Sequence, residues 1–262
     1  MKPLEGLTVV VTRAKTQASV LTDKLAALGA NAVGVATIEI VPPVDGGAAL
    51  RAALVSGNYD QLAVASPNGA KALAAAVAVL IEAGELDAAG LPPVACVGPS
   101  TASKLTDSPL IVNVVPDRAV AEGLVDAMSA PQPGCDQLLL VQAEVARDVL
   151  EVNLARNGWL VDRLVAYRTI DARVTPADQA LARSGDLITF TSSSTVERFV
   201  RLIGIEALPP TVASIGPITS DTARGLDVTV DIEADLHTID GLIEAIVAWA
   251  TAQRERIDSG RV

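Results

Sequence analysis

The sequence predicts an α/β protein built from two similar, doubly wound parallel-sheet domains. Short β-branched runs alternate with amphipathic stretches along the whole chain. The runs are apolar throughout rather than every second residue, as in strands buried on both faces. The chain also repeats itself, one half echoing the other.

The strands follow in order. Leu7–Thr12 carries Val9-Val10-Val11, and Ala32–Ile40 is a long extended candidate ending at Pro42-Pro43. Gln61–Ala65, Val94–Val97 and Ile111–Val114 come next, then Gln137–Gln142 with three consecutive leucines. Leu160–Ile170 is the second long candidate, followed by Leu187–Thr191, Thr211–Ile215 and Val228–Ile232. Helical stretches lie between them. Leu21, Leu25 and Leu28 share one helical face that stops at Gly29, and Leu242, Ile243, Ile246 and Val247 share another behind Thr238 as N-cap. Such alternation places helices on both faces of a parallel sheet.

Bulk properties narrow the class. The chain has 262 residues, enough for one large domain or two ordinary ones. Half are hydrophobic and 19% charged, which excludes disorder. With two residues each of Trp, Tyr and Phe, the core is Ala, Val, Leu and Ile. The net charge of −11 repels phosphate, so nucleic acid is excluded as a partner. No signal peptide is expected, and no apolar run reaches the ~18 residues of a membrane span. The expectation is a cytoplasmic protein that does not engage membrane. Cys96 and Cys135 have no metal-ligand spacing and read as small thiols. There is no dinucleotide fingerprint, Walker lysine or nucleophile elbow, and a single histidine cannot build a metal site. No cofactor is expected.

The repeat is detailed. Ala121–Ala127 matches Ile239–Ala245, and Cys96-Val97-Gly98-Pro99 matches Ser214-Ile215-Gly216-Pro217, both at an offset of 118. Asp60–Gly69 parallels Asp186–Thr195 at 126, and Leu25…Gly29 answers Leu154…Gly158 at 129. On that last register Tyr167 stands opposite Ile38. The order is short unit, long unit, short unit, long unit. Periodicity leaves open whether the halves are tandem or whether the first unit joins the C-terminal half.

Ligands of open parallel sheets sit beyond the carboxyl ends of the strands. Four small, hydroxyl-rich loops fall there, each where a helix begins: Ser66-Pro67-Asn68-Gly69, Ser192-Ser193-Ser194-Thr195, Gly98-Pro99-Ser100-Thr101 and Gly216-Pro217-Ile218-Thr219. Helix N-termini with free amides favour anions, and they act locally whatever the net charge. A single such loop is an ordinary N-cap; four of them suit a ligand with many carboxylates. His237, in the loop before the last helix, reads as a surface residue or a ligand contact.

Thr12-Arg13-Ala14, Ser66-x-Asn68-Gly69, Val97-Gly98-x-x-Thr101-Ala102, Tyr167-x-Thr169, Thr191-Ser192 and Ile215-Gly216-Pro217-x-Thr219 appear in the order seen in uroporphyrinogen-III synthases. The chain resembles that family up to about Trp249. The resemblance implies two flavodoxin-like domains, residues near 1–38 with 171–262 and residues 42–166, joined by a two-stranded antiparallel hinge near 36–41 and 165–170. It implies a monomer that needs no cofactor. The substrate would be hydroxymethylbilane, a linear octacarboxylate tetrapyrrole, closed to uroporphyrinogen III with loss of water and inversion of the last pyrrole. Tyr167 would be the general acid. Carboxylates would be held by the four loops, with Thr101 and Thr219 offering hydroxyl and amide, and by Arg13. The sequence departs from the family at Gln142-Ala143, where Arg-Gly is usual, and Arg147 is the expected substitute cation. Ser220 stands where Ala is usual. The rival expectation is a two-lobed sensor that binds a tetrapyrrole or polycarboxylate without turnover.

Overall fold

A computed structural model of the chain describes residues 2–12 and 15–258, and of residues 15–19 and 257–258 the backbone alone. The chain divides into two compact units, Met1–Glu39 with Ile170–Val262, and Ile40–Thr169.

The first unit contains β1 (Thr8–Val11), α1 (Lys15–Ala27) and β2 (Asn31–Gly34). The second contains α2 (Ala48–Ser56), β4 (Gln61–Val64), α3 (Pro67–Glu82), β5 (Val94–Cys96), α4 (Pro99–Ala102) and β6 (Val112–Val114). It continues with α5 (Ala121–Ala127), β7 (Gln137–Ala143) and α6 (Val149–Arg156). Two strands straddle the boundaries, β3 (Ile38–Val41) and β8 (Leu160–Asp171). The first unit resumes with α7 (Pro176–Arg183), β9 (Leu187–Phe190), α8 (Ser193–Leu202) and β10 (Thr211–Ser214). It ends with α9 (Pro217–Arg224), β11 (Ile232–Glu233) and α10 (Ile239–Asp258).

The sheet orders are β11-β10-β9-β1-β2 and β3-β8-β7-β4-β5-β6. Aligning β1-β2 with β7-β8, and β9-β10-β11 with β4-β5-β6, gives one spatial order for both. The short unit at the N-terminus thus completes the sheet of the C-terminal long unit, and the two middle units complete each other. All pairings described between β1, β2, β9, β10 and β11 are parallel, as are those among β4 to β8.

Alternate residues of each strand feed opposite faces, as a pleated strand requires. Val9 and Val11 pack with Leu21, Leu25, Leu242 and Ile246, and Val10 points the other way into Phe190, Val196 and Phe199. In the second sheet Leu62 and Val64 meet Leu73 and Val77, whereas Ala63 meets Leu138, Leu140 and Leu154. Helices therefore cover both faces of both sheets.

Two expected strands are corrected. Residues 32–40 do not form one strand: β2 belongs to the first sheet and β3 to the second. Between them Val35 is buried in the first unit's core, and the Thr37 carbonyl accepts from the Ala172 amide at 3.1 Å. Val228–Ile232 reduces to Ile232–Glu233, because the Val228 amide donates to the Ala223 carbonyl at 3.0 Å and its side chain packs under α9. Asp227, at φ 60°, turns the chain there.

A pair of repeated aspartates joins short to long units. The Asp186 amide donates to the Thr8 carbonyl at 2.8 Å, and the Thr8 amide donates back to the Asp186 carboxylate at 2.7 Å. Asp60 makes the same reciprocal pair with Gln137, at 2.9 Å in each direction. Asp60→Ala and Asp186→Ala should each lower unfolding free energy in urea, by about 2 kcal/mol for the less exposed Asp60 and about 1 kcal/mol for Asp186. Equal, negligible losses would show that register is set without them.

Near the boundary, Arg201 grips Asp171 with two bonds of 2.7 Å, and Arg198 adds one of 3.3 Å. The bond from Arg201 is the main cause holding the Asp171 carboxyl below its ordinary value, against a smaller opposing effect of burial. A depressed carboxyl stabilises the fold at neutral pH, and that contribution disappears as pH falls through its folded-state value.

Candidate functional site

In the second unit, β4 leads through Ala65 to Ser66, the N-cap of α3, with Pro67 in the first turn. Proline suits that position because its missing N–H would have no partner there. The Gly69 amide donates to Ser66 Oγ at 3.1 Å, and the same oxygen lies 3.1 Å from Tyr167 Oη. Tyr167 stands near the end of β8, half-buried against the core. Two residues expected in different roles are thus bonded to each other. Asn68 and Gly69 lie in the first turn of α3, with Gly69 buried.

β5 leads to Gly98 and α4, a single turn. Ser100 is exposed. Thr101 is 0% exposed, its Oγ1 has no partner among the described residues, and its amide donates to the Gly98 carbonyl at 3.0 Å. In this conformation it cannot offer both hydroxyl and amide to a carboxylate, which corrects that expectation.

Near the end of β7, Gln142 is 2% exposed, and its Nε2 has no partner among the described residues. Arg147 is 70% exposed and paired with Glu122 at 3.3 Å. An exposed pair of this kind is weak and easily released. The sequence reading missed Arg163, whose Nη2 donates to the carbonyls of Ala143 and Glu144 at 3.3 and 2.9 Å. It holds the backbone of the loop that departs from the family pattern. Its position on a long strand gave no sign of this.

In the first unit the loops after β9 and β10 touch. Thr222 Oγ1 donates to Ser193 Oγ at 2.7 Å, and Ser193 Oγ lies 3.3 Å from the Ile218 carbonyl. Ser192 Oγ faces Ser194 Oγ at 3.1 Å and Thr195 Oγ1 at 3.4 Å. Ile218 is 79% exposed, while Thr219 is buried, so an apolar side chain and not the threonine tips that loop. The Oγ of Ser220 is buried without a partner among the described residues. Arg13 lies outside the described residues.

The repeat is obeyed at atomic detail. A Cβ built on Gly98 would lie 2.5 Å from Ala119 Cβ, and one on Gly216 would lie 2.6 Å from Cδ2 of the exposed His237. Positions 119 and 237 are equivalent at the 118 offset. Both glycines thus admit the residue that leads into the following helix. Enlarging either displaces that residue first, so such variants report packing before ligand approach.

Burial raises the Cys96 thiol to about 11, which leaves it unreactive at neutral pH. Burial, and after it the Asp162 carboxylate, raises the Tyr59 phenol to about 12. Among the described residues, no cluster of His, Cys, Asp and Glu could hold a metal, and no helix is long and apolar enough to cross a membrane.

Known proteins resemble the chain in sequence and in fold. Residues 19–244 match the family described as uroporphyrinogen-III synthase HemD. The chain is 32% identical over 262 residues to the uroporphyrinogen-III synthase of Synechococcus elongatus, covering 95% of this chain and 97% of that one. The solved structure of uroporphyrinogen-III synthetase from Helicobacter pylori shares the fold with a TM-score of 0.61 at 16% identity, over 93% of this chain and 99% of that one. A mutant uroporphyrinogen III synthase from Thermus thermophilus gives 0.56 at 18% identity, over 95% and 100%.

Proposed function

The chain belongs to the uroporphyrinogen-III synthase family, and from that premise we propose that it closes hydroxymethylbilane to uroporphyrinogen III with loss of water and inversion of the last pyrrole. The family match across nearly the whole chain carries this reading. Tyr167 delivers a proton to the departing hydroxyl, leaving an azafulvene cation stabilised by its own pyrrole. The last ring attacks through its substituted carbon, and the resulting spiro intermediate rearranges before the macrocycle closes. The protein's main task is to hold the chain in the coiled form from which that attack is short.

Carboxylates are held through the backbone amides of the loops at 66–69, 98–100, 192–193 and 216–218, with Arg13, Arg147 and His237 as the side-chain contacts. The starts of α3 and α8 support this assignment, since a helix beginning in small residues presents free amides and a positive dipole end. Thr101 and Thr219 shape their turns from beneath. The protein acts in solution as a monomer with no nucleic-acid partner.

Product analysis tests the reaction. Uncatalysed closure gives the unrearranged isomer, so enzymatic turnover should yield the type III isomer, at the same rate after treatment with a strong chelator. Binding without consumption of the bilane would identify a sensor, and a rate lost to the chelator and restored by one metal would oppose a cofactor-free mechanism.

We further propose that the two units turn about the passages near 36–41 and 165–170 when ligand binds. The chain crosses between units only at Glu39/Ile40 and Thr169/Ile170, and few connections favour relative motion. Small-angle scattering should show a smaller radius of gyration with bound product. An unchanged profile would rule the motion out.

A further inference from the structure

We propose that Ser66 is a positioning residue for Tyr167, wiring its phenol to the N-terminus of α3. The proposal rests on the reading of Tyr167 as proton donor. Ser66 Oγ already accepts the Gly69 amide at 3.1 Å, so one lone pair is committed. Its own O–H remains, and Tyr167 Oη stands 3.1 Å away. When the phenol O–H bond breaks and its proton passes to the departing hydroxide, water leaves and a phenolate remains. Ser66 O–H then donates to that oxygen. Its polarity is reinforced by the Gly69 N–H behind it and by the dipole of a 16-residue helix. The proton released from the pyrrole carbon at ring closure restores the phenol, so the cycle is balanced with water as co-product.

The repeat supplies an internal control. Ser192 is the counterpart of Ser66, yet it makes no side-chain cap bond and faces Ser194 and Thr195 instead. The first unit has no tyrosine at all, since Tyr59 and Tyr167 both belong to the second. The serine caps its helix and meets a phenol only in the unit that carries the tyrosine. A serine kept solely as an N-cap or as a carboxylate contact would require no such partner. The bond also fixes the phenol's rotation on a strand otherwise half open to solvent. A bond to a group that becomes charged is stronger than its neutral form, so Ser66 contributes more after proton transfer than before.

The test is a mutant cycle on the full-length protein with hydroxymethylbilane as substrate: Ser66→Ala, Ser66→Thr, Tyr167→Phe and Ser66→Ala/Tyr167→Phe, each with a thermal melt. Ser66→Ala should lower kcat about tenfold with KM little changed, and Ser66→Thr should restore most of it. The double variant should turn over no more slowly than Tyr167→Phe alone, while lost capping lowers Tm equally in both backgrounds. A loss that recurs in full on the Phe background, or a raised KM at unchanged kcat, would overturn the proposal and make Ser66 a substrate contact. Wild-type kcat in Tyr167→Phe would instead remove the tyrosine, and this role of Ser66 with it.

Discussion

Tyr167→Phe should slow turnover by about 10²-fold, the low end of what a positioned acid contributes, while the product stays the type III isomer. Three observations set that size. Tyr167 is one of only two tyrosines, and the other, Tyr59, donates a hydrogen bond to Asp162. Its hydroxyl is not demanded by the shared fold, since the first unit is built without a tyrosine. The substrate's electron-rich pyrrole supplies most of the push that expels hydroxide, so the donor accelerates a step that still proceeds without it. Inversion depends on how the bilane is held, which a lost hydroxyl does not change. The ring is partly buried against the core of the second unit, and phenylalanine keeps that packing. The assay is steady-state kcat with isomer analysis and a thermal melt. Wild-type turnover in a well-folded variant would leave the substrate and the backbone dipoles to do the chemistry.

Gly241→Ala should cost on the order of 3 kcal/mol and lower Tm by about 10 °C. A Cβ at Gly241 would fall 2.1 Å from the Leu236 carbonyl oxygen and 2.8 Å from Leu236 Cβ. The backbone cannot yield cheaply, because the Gly241 amide donates to Thr238 Oγ1 at 3.0 Å and the Leu242 amide donates to the Thr238 carbonyl at 3.0 Å. Relief means pulling the first turn of α10 away from a core that includes Leu242 and Ile246. Gly123→Ala should behave alike in the other unit, its Cβ falling 2.2 Å from the Arg118 carbonyl oxygen. Glu244→Ala, one turn along on the exposed face of α10, is the control and should stay within about 0.5 kcal/mol. A Gly241→Ala melt matching that control would mean the loop at 236–238 rearranges without cost. A kinetic consequence follows as well: His237 leans on Gly216, so the displaced segment should also raise KM.

Most strands and the repeat were legible because burial on both faces leaves unbroken Val and Leu runs, and because the aspartates, glycines and caps recur at fixed offsets. The break at 35–37 was not legible: a continuous apolar run does not say when the chain changes sheets. Nor was the short β11, since Val228 and Val230 are apolar for a helix above them rather than for a neighbouring strand. At the site, glycine and serine loops announce where helices begin. They do not announce which hydroxyl faces inward, so Thr101 looked like a ligand group and is enclosed. The Ser66–Tyr167 bond spans 101 residues, and no local pattern encodes a contact of that range.

The crosswise pairing bears on how the protein is made. β1 lies between β2 and β9, and Val9 is in register with Leu187. A ribosome releasing roughly 5–20 residues per second delivers β1 many seconds before that partner exists. Until then β1 and β2 can form only a two-stranded fragment, marginal in water, with the apolar face of Val9 and Val11 uncovered. The stretch from Ile40 to Thr169 holds β4, β5, β6 and β7 without help from either end and can collapse first. Synthesis therefore leaves a sticky N-terminal strand waiting beside a finished neighbour, a window in which chaperones or aggregation compete. Moving residues 1–36 to the C-terminus by circular permutation would close that window, and it should show as a larger soluble fraction on expression.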